Sequence, residues 1–111
     1  MPLLPATRIG DKDLVHCSTP TRIQGVKTVF VNGRPWSCFT HINDPHLKPN
    51  PSPPPPCIIH SKPIAKGSPT VFIEGLMAGR ITDPVLNCTA VATGSPDVFA
   101  GDGMVIDLSQ A

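Results

Sequence analysis

One short segment recurs along the chain, and that recurrence constrains the fold more than any other feature. Gly25-Val26-Lys27-Thr28-Val29-Phe30-Val31-Asn32-Gly33 returns as Gly67-Ser68-Pro69-Thr70-Val71-Phe72-Ile73-Glu74-Gly75. A shorter copy follows as Gly94-Ser95-Pro96-Asp97-Val98-Phe99-Ala100-Gly101. A second unit accompanies it: Pro5-Ala6-Thr7-Arg8-Ile9-Gly10-Asp11 is matched by Met77-Ala78-Gly79-Arg80-Ile81-Thr82-Asp83. The middle copy of this unit is degraded, running from Gly33-Arg34-Pro35-Trp36 to Asp44 with about three extra residues. Internal repetition of this kind means a small structural unit that buries its apolar face only against its own copies.

The unit reads as β. Thr28 to Val31 and Thr70 to Ile73 are runs of β-branched and aromatic residues bounded by Gly and Pro. Alternation puts Val29 and Val31 on one side and Phe30 on the other, and the Val71, Ile73 and Phe72 set repeats this. Asn32-Gly33 and Glu74-Gly75 have the chemistry of tight turns. Gly103 to Leu108 reads as a closing strand. The 15 prolines among 111 residues argue against long helices, because each removes a backbone donor. Seven of them lie between Pro45 and Pro56, a stiff excursion read as an insertion loop, so residues 1–111 are expected to form a single domain. The net charge of +1 does not suit a nucleic-acid binder. No apolar run reaches the ~20 residues of a membrane-spanning helix. Met1-Pro2-Leu3-Leu4-Pro5 has neither a basic leader nor a long apolar stretch, so synthesis in the cytoplasm without a signal peptide is the expectation.

The repeat also carries metal-type side chains. His16 lies five residues after Asp11, Cys88 five after Asp83, and His60 seven before Gly67. Cys57-Ile58-Ile59-His60 adds a C-x-x-H pair. His16, Cys57, His60 and Cys88 make a Cys2His2 set suited to tetrahedral Zn²⁺, with Fe²⁺ compatible with the same ligands. All four positions would be filled, so the site is read as structural. Cys57 is chosen for its nearness to His60, with His41 and His46 as alternatives from the degraded unit. Cys17 would point away from His16 on an extended chain, and Cys38 is read as core. On this reading His60→Ala loses the metal and His46→Ala does not. Four cysteines also allow two disulfides. For catalysis, the chain lacks a phosphate loop, a nucleophile elbow and an H-E-x-x-H helix. A Cys-His nucleophile pair, Cys57 with His60 or Cys88, has no large pocket-building region around it. No enzyme is expected.

Pro5-Ala6-Thr7-Arg8 with Asp11, the Gly67 to Gly75 segment, and Met77-Ala78-Gly79-Arg80 with Asp83 closely resemble the PAAR-repeat proteins. The resemblance spans nearly the whole chain, although the middle Pro-Ala-Ala-Arg unit is lost. It implies an all-β, small conical structure of three pseudo-threefold repeats with a metal near its apex. The implied role is a tip that caps and sharpens the trimeric spike, of VgrG or tail-spike type, of a contractile injection machine. Such tips sit on phage tails, type VI secretion systems or extracellular contractile particles. They contact the target membrane transiently and in some cases carry effectors. His16 and Cys88 match the family's first and last ligands, and Cys57 and His60 match its His-x-x-His pair with Cys in the first place. The sequence ends at Ala111, so a bare tip without an appended effector is implied. A free-standing metal-binding or disulfide-stabilised adaptor is the alternative. The face meeting the spike is either the Val29, Val31, Val71, Ile73 and Val98 set or the Phe30, Phe72 and Phe99 set, the other being interior.

Overall fold

A computed structural model describes residues 3–15 and 17–101. The expected strand Gly103 to Leu108 therefore lies outside the described residues. Those described form an all-β structure without a helix. It is elongated, with extents of 43 × 31 × 24 Å. Eight short strands pair two by two: β1 (Leu4–Pro5) with β8 (Phe99–Ala100), β2 (Phe30–Val31) with β3 (Arg34–Pro35), β4 (His46–Pro49) with β5 (Cys57–His60), and β6 (Phe72–Ile73) with β7 (Leu76–Met77). All four pairs are antiparallel.

The β2–β3 and β6–β7 hairpins turn through Asn32-Gly33 and Glu74-Gly75. Both residues of each turn have positive φ, 53° then 80°, the geometry of a type I′ turn. This is the turn whose twist matches that of the flanking strands, so the strands stay paired although each is only two residues long. The β1–β8 pair occupies the corresponding place in the third copy, where the start of the chain supplies the strand that a hairpin would otherwise provide.

Three segments are stitched to one another behind these pairs. Bridges join Ala6 to Arg80, Arg8 to Trp36 and Cys38 to Ala78. The hydrogen bonds run in a closed cycle: Ile9 N–H to Pro35 O at 3.0 Å, Phe39 N–H to Met77 O at 2.9 Å, and Ile81 N–H to Pro5 O at 3.0 Å. A second cycle ties each segment to its strand unit, from the N–H groups of Ala6, Trp36 and Ala78 to the carbonyls of Val98, Val29 and Val71. Trp36-Ser37-Cys38-Phe39-Thr40-His41 thus stands in the place of the missing middle unit, although it shares none of the Arg and Asp chemistry of the other two.

That chemistry has a local cause. Asp11 accepts the Arg8 backbone N–H at 2.8 Å, and Asp83 accepts that of Arg80 at 2.7 Å. Each carboxylate also takes two bonds from the same arginine's guanidinium. Burial works against the charged Asp11, but the bonds from Arg8 outweigh it and hold the carboxyl below its ordinary range. In the middle segment His41 Nδ1 accepts the Cys38 N–H at 2.8 Å and closes the same turn without charge. Burial, with Arg22 nearby, pushes the His41 pKa down and favours this neutral acceptor.

The core follows from the alternation in the strands. Val31, Ile73 and Ala100 are buried with Ala6, Val26, Trp36, Cys38 and Ala78. Their neighbours Phe30, Phe72 and Phe99 are 57%, 57% and 45% exposed. The sequence left open which set is interior; the Val/Ile set is inside and the phenylalanines face out. A smaller cluster of Ile64, Val85 and Val91 lies above the ring of segments.

Backbones approach closely at the glycines. A Cβ on Gly79 would lie 2.1 Å from the Ser37 carbonyl oxygen. Equivalent Cβ atoms on Gly25, Gly67 and Gly94 would meet the carbonyls of Trp36, Ala78 and Ala6 at 2.9, 2.6 and 2.6 Å. Gly79→Ala is therefore expected to cost about 3 kcal/mol or more, because a backbone carbonyl inside a hydrogen-bonded ring cannot yield as a side chain can. Thr82 occupies the left-handed turn position, φ 71°, that Gly10 fills in the first unit. Thr82→Gly relieves a β-branched residue there and should raise stability by up to about 1 kcal/mol, net of glycine's entropy in the unfolded chain. Urea unfolding of both variants beside the parent checks the two signs.

Candidate metal centre

Three excursions leave the ring of segments. The first runs from Asp13 to Arg22, the second from Asn43 to Ile64, and the third from Val85 to Val91. Bridges Asp13–Val91, Arg22–Asn43 and Ile64–Val85 close their roots into a second ring. Half of that ring is the apolar cluster of Ile64, Val85 and Val91. The other half is polar. Arg22 pairs with Asp13 at 3.1 Å with both side chains fully buried, and Asn43 donates to Asp13 at 2.9 Å.

Above this ring His46, His60 and Cys88 converge. One ligand atom from each lies within 4.8 Å of the others, so the group could hold a metal ion. His46 and His60 face each other across the β4–β5 ladder, with ring centroids 4.5 Å apart. His46 Nδ1 is 2.8 Å from the Asp44 carbonyl, which only an N–H can satisfy, so in the neutral imidazole the lone pair is on Nε2. That Nε2 lies 3.2 Å from Cys88 Sγ. A carbonyl-anchored imidazole aimed at a thiol is the arrangement in which metal-binding histidines are held. Tetrahedral Zn²⁺ with Zn–N near 2.0 Å and Zn–S near 2.3 Å places ligand atoms about 3.3–3.6 Å apart. The 3.2 Å from His46 Nε2 to Cys88 Sγ is close to that spacing, and all three ligand atoms lie within 4.8 Å of one another. Burial raises the Cys88 thiol pKa, against the Asn43 side-chain amide, which donates to its sulfur at 3.9 Å. An ion at this point would displace the thiol proton.

The sequence-derived ligands are placed as follows. His60 and Cys88 are brought together. His16 lies outside the described residues. Cys57 is not in the group: its sulfur is bonded to Cys17, with Cα atoms 6.4 Å apart. The physical reason is the strand. Cys57 and His60 are three residues apart on β5, so they face opposite sides of the ladder, and a C-x-x-H pair on a strand does not converge. His46, an alternative in the sequence reading, occupies the place given to Cys57, and its substitution is therefore not expected to be harmless. A signal for it existed. Counting from His41 as the partner of Asp11 and Asp83, His46 falls five residues on, in phase with His16 and Cys88. The Pro-rich excursion is not a plain loop either: its walls are β4 and β5, with its prolines concentrated at the tip.

The disulfide joins the first excursion to the second, closing a sequence separation of 40 residues. A loop of that size is worth about 4 kcal/mol in chain entropy. No protein-family model and no curated protein matches the chain.

The remaining cysteines differ in character. Cys38 is buried in the main core, and burial pushes its thiol up to about 11. Cys88 is half-buried. At pH 8, without reductant, metal-free protein should therefore yield slow modification of Cys88 and none of Cys38 until denaturant is added. Denaturation should then release two thiols in total, and reduction four. Four thiols without reductant would show that Cys17 and Cys57 are not bonded.

Proposed function

We propose that the chain is a PAAR-like tip that caps the trimeric spike of a contractile injection machine. The supporting observation is the outward presentation of Phe30, Phe72 and Phe99 by three units with one hydrogen-bond pattern. A monomer seated on a threefold axis meets three equal surfaces, and three equivalent phenylalanines give it three matching contacts. On this reading the units form a pseudo-threefold cone with the phenylalanines at its base and the metal group near its apex. The ion is Zn²⁺, held by His46, His60 and Cys88 with His16 as a fourth ligand; Fe²⁺ suits the same donors less closely.

A pointed apex has much surface and little volume, so apolar burial cannot hold it together. A structural metal supplies binding energy of order 10 kcal/mol at that place and couples it to folding. The reading gives the protein a mechanical role without catalysis. It acts at the end of a phage tail, a secretion-system spike or an extracellular contractile particle, where it meets the target membrane and in some systems an effector.

The disulfide favours a second reading, a free-standing metal-binding or disulfide-stabilised adaptor. A trimeric spike with a blunt β-helical end separates the two. The tip reading expects one chain bound per trimer. It also expects Phe30→Ala, Phe72→Ala and Phe99→Ala to weaken binding by similar factors, about tenfold each. Strongly unequal losses, or no binding, would remove the threefold seat. In parallel, elemental analysis should find about one zinc per chain. His46→Ala, His60→Ala and Cys88→Ser should each abolish it, and metal retained in all three would reject the site.

A further inference from the structure

Among the described residues, the disulfide and the metal group join different pairs of excursions. The metal group connects the β4–β5 hairpin to the 85–91 loop through Cys88. The disulfide connects the far face of the same hairpin, at Cys57 opposite Pro49, to the 14–20 loop at Cys17. Among the described residues neither tie duplicates the other, and together they link all three excursions. The hairpin is the shared member. Its root is anchored where Lys62 N–H donates to Asn43 Oδ1 at 2.9 Å. Further out, the Leu47 N–H donates to Ser18 Oγ at 3.0 Å, and the disulfide is the covalent tie to the same loop. Cys17 itself has φ 80°, a conformation that residues with a side chain rarely hold unless the surroundings impose it. Cys17 is exposed, so the bond is open to thiol reagents.

We infer that the Cys17–Cys57 disulfide is a redox-operated latch on the metal group. Closed, it keeps the hairpin that carries His46 and His60 docked against the 14–20 loop, and the ion leaves slowly. Opened, the hairpin swings outward from its root and the ion escapes. Closing needs an oxidant of the small-molecule disulfide class. The Cys57 thiolate attacks one sulfur and expels one thiol. The Cys17 thiolate then attacks Cys57 in the mixed disulfide and expels the second. Two electrons pass to the small disulfide, and the two protons lost by the cysteines end on the two released thiols. A dithiol reverses the step and becomes a cyclic disulfide. Because Cys57 faces away from His60 on the ladder, opening the bond adds no ligand to the ion.

The inference rests on the metal reading above, and one experiment distinguishes their failures. The full chain is loaded with Zn²⁺ alone, and release to an excess of a chromogenic chelator is timed. The Cys17→Ser/Cys57→Ser double variant should release zinc at least tenfold faster than the oxidised parent, while Cys38→Ser should not. Wild-type protein opened with dithiothreitol, then freed of it, should match the double variant and return to slow release after treatment with oxidised glutathione. This native reduction also serves if the double variant does not fold. Amide exchange in residues 46–60 of zinc-free protein should rise on opening. Equal release rates, with zinc bound in both states, would overturn the latch and leave the metal site standing. Slower release from the open form would overturn it in favour of Cys57 as a ligand. A parent that takes up no zinc would overturn both.

Discussion

The structure depends on three backbones passing within hydrogen-bonding distance of one another. The segments around Thr7, Ser37 and Gly79 close a cycle of N–H to carbonyl bonds. At the tightest point only a hydrogen fits, since a Cβ on Gly79 would sit 2.1 Å from the Ser37 oxygen. This cycle does what a continuous sheet does elsewhere. It satisfies backbone groups in the interior and sets the directions in which the short strands leave. Strands of two residues are too short to be stable alone. β2–β3 and β6–β7 persist here because each pair is anchored at one end to the cycle and closed at the other by a turn that matches its twist, and β1–β8 persists through the anchoring alone. The buried arginine–aspartate pairs follow from the same constraint, because the turn beyond each segment exposes a backbone N–H that the aspartate satisfies.

Going up from that cycle, apolar packing gives way to polar and cross-linked structure. The main core lies on the strand side, and the cluster above the cycle contains three buried residues. Beside it stands an ion pair with both side chains at zero exposure, Arg22 with Asp13. A buried pair of this kind contributes little net stability against an apolar replacement, but breaking it leaves an uncompensated charge. It therefore fixes which excursion meets which more than it strengthens the whole. Beyond it, stabilisation must come from localised bonds, and a disulfide and a His/His/Cys group occupy that level.

Much of this was legible in the sequence, because the repeat preserves side chains where geometry demands them. The Val-Phe-Val and Val-Phe-Ile alternation sorted interior from exterior, leaving only the sign open. The glycines before each strand and the Arg-x-x-Asp spacing recur in the sequence, but it is the structure that shows them as close approaches and capped turns. The middle unit escaped because the turn needs an acceptor, not a carboxylate. His41 Nδ1 serves as well as an aspartate oxygen, and the motif disappears while the bond remains. His46 escaped with it, since its phase is counted from His41. Cys57 was misplaced for a different reason. Sequence proximity to His60 suggests a shared ion, but period-two alternation on a strand sends the two side chains to opposite faces.

The strand units and the excursions differ in regularity. On the strand side, Phe30, Phe72 and Phe99 have nearly equal exposure, and the bonds behind them repeat closely. The excursions differ in length and content: a 14–20 loop, a proline-tipped hairpin and a short turn around Cys88. The middle segment has Cys38 and His41 where the other two have arginine and aspartate, yet it makes the same backbone bonds. The repeated pattern therefore lies in the backbone, and side chains can differ wherever they supply the same acceptor. Phe30, Phe72 and Phe99 stand outside that argument, because the core is filled by their neighbours Val31, Ile73 and Ala100 and not by the exposed rings. The excursions differ in length because their bonds are local ones, a disulfide from Cys17 and a sulfur from Cys88 that both reach the shared hairpin.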